Sequence, residues 1–178
     1  MIKLKSLFKL APAMSIKYFK NKNNKFSWDW YELWQDAHKK SFTVAKAMRE
    51  DILKDIRSAL EKALTEGKTF REFSKELKPT LQKKGWWGEQ IVVDTEGVAE
   101  KVQLGSMYRL KTIYSVNMQT AYQTGRYKTQ YENVDNRPYW EYVAVMDAST
   151  RPEHAMLNGL VYRYDDPFWK SFYPPNGW

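Results

Sequence analysis

Between Glu50 and Leu64 the apolar side chains Ile52, Ile56, Leu60 and Ala63 recur every three or four residues, with Asp51, Asp55, Arg57, Glu61 and Lys62 between them. That period puts the first set on one face of a helix and the second in water. Gly67 ends this helix. Thr69-Phe70-Arg71-Glu72 has the form of a capping box, so a second helix is expected to follow, carrying Phe70, Phe73, Leu77 and Leu81 inward. Pro79 lacks an amide proton and is expected to end or kink it. The period changes at Lys84-Gly85-Trp86-Trp87-Gly88. Beyond it, residues 90–94 and 98–104 are rich in strand formers around Thr95-Glu96-Gly97, the pattern of a hairpin. Ser106 then caps a long helix reaching about Asn133, with Leu110, Ile113, Tyr114, Ala121 and Tyr122 near one face. Asn117 and Gln119 interrupt that face and read as structural hydrogen-bonding nodes. Residues 139–145 alternate like a central strand and deliver Asp147 to a turn. Arg151-Pro152-Glu153-His154 opens a short helix closing at Asn158-Gly159, and residues 160–164 give one more strand.

Upstream, Pro12 marks a helix start, residues 13–20 complete about two turns, and Asn21-Lys22-Asn23-Asn24 reads as a linker. Phe26, Trp28, Trp30 and Trp34 crowd the start of a further helical region. They read as core or interface anchors, because a base-stacking platform normally accompanies a basic groove. His38, among Asp36, Lys39 and Lys40, reads as a surface histidine.

The pattern defines an α+β fold: an N-terminal helical layer packed on a small, mostly antiparallel sheet, with one long central helix and a proline- and aromatic-rich C-terminal segment. A basic N-terminal arm, residues 1–25, precedes a single unit, 26–178, whose helical part (26–88) and α+β part (89–178) are joined without a Gly/Ser linker. In the closing segment Trp169 and the Pro174-Pro175 turn are expected to lock over the elements that carry Asp147 and His154.

Charge sharpens this division. Residues 1–88 hold 20 Lys and Arg against 10 Asp and Glu, whereas residues 89–178 hold 9 against 11. Residues 1–25 hold seven lysines (Lys3, Lys5, Lys9, Lys17, Lys20, Lys22 and Lys25) and no carboxylate, a composition suited to a partner or to non-specific contact with double-stranded DNA. The absence of Cys excludes disulfides and thiolate metal sites within these 178 residues. No apolar run is long enough for a membrane span, and Lys5 and Lys9 interrupt the only stretch resembling a signal peptide.

Candidate chemistry concentrates at Asp147, Thr150, Arg151, Glu153 and His154. A small basic nuclease or toxin-like domain would use His154 as general base and Arg151 on phosphate. No phosphate-cradling Gly loop and no two-metal carboxylate spacing accompanies them, so no catalytic, cofactor or metal residue is assigned. The structural alternative has Asp147 accepting bonds from the turn and Thr150, Pro152 at the first helical position, and His154 held by a carboxylate or carbonyl.

The run Asp147-x-x-Thr150-Arg151-Pro152-x-His154-x-x-Leu157-x-Gly159, followed by Asp165-Asp166-Pro167-Phe168-Trp169 and Tyr173-Pro174-Pro175-Asn176-Gly177-Trp178, resembles the phage Mu F-like minor head protein family. Trp28-Asp29-Trp30, Ala45-Lys46-Ala47, Lys84-Gly85-Trp86-Trp87-Gly88, the helix from Arg109 to Gly125 and Arg137-Pro138-Tyr139-Trp140 agree in the same order. The resemblance implies a non-enzymatic minor head protein near the portal inside the procapsid, in the virion head interior. It implies a role in head morphogenesis and DNA packaging or ejection, with the portal protein, the major capsid protein or both as partners and no cofactor; contact with packaged double-stranded DNA is the expectation that the basic charge adds. It implies structural roles for Asp147, Thr150, Arg151, Pro152, His154, Gly159, Trp169, Pro174 and Pro175. It also implies a Gly-Cys-Arg-Cys-like segment after Trp178, at which this sequence stops.

Overall fold

The computed structural model describes residues 13–25, 41–42, 44, 46–47, 49–93, 99–148 and 150–173. Expectations placed on Trp28, Trp30, Trp34, His38, the 95–97 turn and residues 174–178 lie outside them. The described elements run α1 (Ala13–Lys20), β1 (Asn23–Asn24), β2 (Ser41–Phe42), α2 (Glu50–Glu66), α3 (Phe70–Lys83), β3 (Glu89–Val93), β4 (Ala99–Gln103), α4 (Met107–Tyr131), β5 (Tyr139–Glu141), α5 (Pro152–Ala155), β6 (Val161–Arg163) and α6 (Phe168–Phe172). The fold is α+β. The chain divides into two compact units, Met1–Tyr122 and Gln123–Trp178, with the division inside α4.

In the first unit α2 and α3 follow their sequence signals. Ile52, Leu53, Ile56, Leu60, Ala63 and Leu64 are buried on α2, and Phe73, Leu77 and Leu81 on α3. The turn between them is over-determined. Gly67 lies in the left-handed region at φ 67, and its N–H closes α2 on the carbonyl of Ala63. Thr69 and Glu72 form the full capping box, the Thr69 N–H donating to Glu72 Oε2 at 2.8 Å. Pro79 does not end α3, which runs on to Lys83. The missing bond to the Lys75 carbonyl is outweighed because one more turn carries Leu81 into the core.

The core here is helix on helix. Phe19 from α1, Phe42 from β2, the faces of α2 and α3, Trp86, and Leu110, Met118 and Ala121 from α4 form one cluster. Of the expected arm, residues 13–25 are thus packed: Phe19 is 1% exposed and meets Phe42 edge to face. The described strands do not join into one sheet. The described strands make three two-stranded ladders: parallel β1–β2, antiparallel β3–β4 with Glu89 opposite Gln103, and antiparallel β5–β6. The β3–β4 ladder is extended by Gly88, whose N–H donates to the Gly105 carbonyl at 2.8 Å and whose carbonyl accepts from the Leu104 N–H at 2.9 Å. A Cβ on Gly105 would fall 2.5 Å from the Trp86 carbonyl oxygen, so only glycine lets the two chains approach there. Ser106 caps α4 as its sequence suggests, accepting from the Arg109 N–H at 3.1 Å. Of the two amides on α4, Asn117 donates to the Ile113 carbonyl at 2.8 Å, while Gln119 is exposed.

The second unit is built on aromatic side chains. Trp140, Tyr142 and Trp169 are buried, with Tyr162, Tyr164, Phe168, Phe172 and Tyr173 packed against them. In β5–β6, Trp140 pairs with Tyr162 on the inner face, and Tyr139 with Arg163 and Glu141 with Val161 on the outer one.

Candidate functional site

The segment from Asp147 to Gly159 is the loop of the β5–β6 hairpin, held shut from both ends. Past the strands, the Tyr142 N–H donates to the Leu160 carbonyl and the Gly159 N–H to the Tyr142 carbonyl, each at 2.8 Å. One step further, the side chain of Asn158 replaces the backbone, its Oδ1 accepting from the Ala144 N–H at 2.9 Å. The chain then reverses through Met146, which sits at φ 58.

At Asp147 the turn closes on Thr150. The Thr150 hydroxyl accepts from the Asp147 N–H at 3.2 Å and donates to the Asp147 carboxylate at 3.1 Å, while the Thr150 N–H donates to the Asp147 carbonyl. Pro152 occupies the first position of α5 after an extended Arg151, whose carbonyl accepts from the His154 and Ala155 N–H groups at 3.0 Å. His154 departs from expectation. Its Nδ1 is hydrogen-bonded to the phenol of Tyr142 at 3.0 Å, a partner from β5's extension and neither a carboxylate nor a carbonyl. Tyr142 is buried and His154 half-buried, so the pair joins the loop's helix to the aromatic core. Chemically, the arrangement commits one imidazole nitrogen and the Thr150 hydroxyl to internal bonds. Among the described residues no group of three or more His, Asp or Glu side chains is arranged to hold a metal.

Beneath the loop, Trp169 donates from Nε1 to the Arg163 carbonyl at 2.9 Å, and its ring meets Trp140 edge to face at 5.7 Å. Tyr173 donates to Gln130 Oε1 at 2.6 Å, and burial pushes its hydroxyl up to about 12. Pro174 and Pro175 lie outside the described residues. Tyr142, Asn158 and the Tyr173–Gln130 pair were not assigned roles from sequence. The inward phase of residue 142 on an alternating strand was the available signal for Tyr142; the others depend on long-range pairing.

The lysines assigned to partner contact divide. Lys3, Lys5 and Lys9 lie outside the described residues. Lys17 and Lys25 are exposed, and Lys20 pairs with Glu61 at 3.2 Å. Lys22 is only 9% exposed, over the Tyr18 ring, and burial together with the charge of Arg57 lowers its pKa to about 8. Arg57 itself donates to the Lys20 carbonyl and to Asn24 Oδ1. Lys22 is therefore engaged inside the fold, and Lys20 in an ion pair at its surface. Elsewhere in the first unit a cleft of about 210 Å³ lies between the α2–α3 turn and α4, bounded by Lys68, Tyr114 and Tyr122 among others.

A hairpin whose loop is a closed, hydrogen-bonded motif over an aromatic box is thus what the second unit holds, and it lies within a relationship to known proteins that spans most of the chain. The chain belongs to the family described as phage Mu protein F like protein, matched over residues 54–178. It is 54% identical over 170 residues to a candidate capsid assembly protein F of Escherichia phage Mu, covering 96% of this chain and 39% of that protein. It is 49% identical over 152 residues to the Mu-like prophage FluMu F protein of Haemophilus influenzae, covering 85% of this chain and 36% of that one. The chain thus spans well under half the length of these relatives. No solved structure matches it.

Proposed function

We propose that this protein is a non-enzymatic minor head component of a tailed phage or prophage, acting in head morphogenesis at or near the portal inside the procapsid. The observation that carries the reading is the 54% identity, over nearly the whole chain, to a phage Mu protein named for capsid assembly. The loop geometry supports it, since three of the residues that would tempt an enzymatic assignment are bonded within the hairpin, Asp147 to Thr150 and His154 to Tyr142. The portal protein and the major capsid protein are the proposed partners. The proposed location is the head interior, where DNA packaging or ejection would bring the chain beside packaged DNA. The basic first half and the aromatic second half divide the work, one meeting partners and the other supplying a rigid fold.

The test is removal of the protein from a phage that encodes it, followed by electron cryo-microscopy of the particles. Loss of DNA-filled heads, together with density against the portal in particles that carry the protein, is the expected outcome. Normal filled and infectious heads without it would overturn the reading. So would cleavage of duplex DNA by the purified protein with Mg2+ or Mn2+ if His154→Ala abolished that cleavage.

A further inference from the structure

Helix α3 presents cations that no carboxylate of the described residues neutralises. Arg71, Lys75, Lys78 and Gln82 recur at steps of four, three and four residues, which places them within an arc of about 60° on a helix of 3.6 residues per turn. Arg71 and Lys75 are exposed; Lys78 is half-buried with its ammonium 5.2 Å from the centre of the Trp87 ring. The carboxylates of the same helix are drawn away from this arc. Glu72 accepts from the Thr69 N–H and hydroxyl in the capping box, and Glu76 pairs with Lys62 and Lys68. Among the described residues no carboxylate lies within ion-pair distance of Arg71, Lys75 or Lys78. Of the lysines on α1 and at its exit, Lys20 is ion-paired with Glu61 and Lys22 is buried, while Lys17 and Lys25 are exposed but do not share a helix face with Arg71, Lys75 and Lys78.

We infer that the Arg71–Lys75–Lys78 stripe of α3 is a docking surface for the phosphate backbone of duplex DNA, read without regard to sequence. Three charges are spread along about 10 Å of the helix, at 1.5 Å per residue, and one DNA strand presents a phosphate about every 3.4 Å of its axis. The arc has Gln82 at its end and no exposed apolar anchor, whereas protein interfaces concentrate aromatic side chains and are depleted in Lys. It also lacks the row of stacking rings that single strands require. The surface rests on the charge geometry of α3 and not on the head-assembly reading, which would stand if this inference fell.

The experiment is fluorescence anisotropy of the full chain with a labelled 20-base-pair duplex of arbitrary sequence, titrated across a series of salt concentrations. The triple variant Arg71→Gln, Lys75→Gln, Lys78→Gln is expected to fold normally by circular dichroism. Its slope of log affinity against log salt should be shallower by roughly 2.7, three contacts at about 0.9 each. Lys75→Arg with Lys78→Arg should retain the wild-type slope. A folded triple variant with wild-type affinity and slope overturns the inference. Equal binding of wild type to a labelled poly-glutamate of matched charge, lost in the same triple variant, would reassign the stripe to an acidic protein surface.

Discussion

Trp169 and His154 show how much a single side chain contributes to the second unit. The Trp169 ring is buried among Trp140, Phe168 and Tyr173, and its indole N–H is bonded to the Arg163 carbonyl. Trp169→Ala empties that site and removes one of the two bonds to the Arg163 carbonyl, which keeps the Asp166 N–H, and is expected to cost about 3 to 5 kcal/mol in denaturant unfolding. His154→Ala strands only the Tyr142 hydroxyl and should cost about 1 to 3 kcal/mol by the same measurement. Two other residues contribute to the alkaline behaviour in opposite directions. Lys22 has its folded pKa lowered to about 8 from 10.5, so the folded state sheds its proton first. Stability is therefore expected to rise as pH goes from about 8 to about 10.5. Tyr173 has its folded pKa raised from 10.0 to about 12, mainly by burial. Its contribution is fully present below pH 10 and lost as pH rises toward 12. Melting temperature against pH should accordingly climb and then fall, and Lys22→Met should remove the climb.

At the scale of elements, the turn between α2 and α3 is the joint most completely written in the sequence. Gly67, Thr69 and Glu72 each do what their residue type and spacing imply. Thr69→Ala removes one side of the capping box and is expected to destabilise the protein by about 1 kcal/mol, measured by thermal unfolding. The stripe Ile52–Ile56–Leu60–Ala63 was legible because helical period is a local property. Other features were not legible, for physical reasons. The two-residue strands β1 and β2 pair Asn23 with Ser41, positions with no alternation to read. The Tyr142–His154 bond is a meeting of residues twelve apart that requires the hairpin first. Pro79 reads as a stop on local rules and is overridden by the burial of Leu81 beyond it.

Across the whole molecule, the sequence conveyed the α+β class, but not the separation of its strands into three ladders. It showed the basic excess of the first half, but not which cations remain available. Charge counting favoured residues 1–25, where Phe19 and Lys22 turn out to be buried. A short segment rich in Lys, with Ile16 and Phe19 one turn apart, carries too little apolar surface to announce that it packs. Phe19→Ala is consequently expected to lower stability by about 3 to 5 kcal/mol, a loss that a free arm would not show in chemical unfolding.

The central claim is that the Asp147–Gly159 loop acts by holding a fold on which head assembly depends. The most direct measurement sets folding stability and infectious yield side by side for Trp169→Ala, Tyr142→Phe and His154→Ala introduced into a phage that encodes the protein. Yield is expected to follow the folded fraction across the three, with Trp169→Ala the most affected. A His154→Ala protein as stable as wild type, giving normal-looking heads that fail to infect, would contradict the claim and assign the histidine to chemistry or binding.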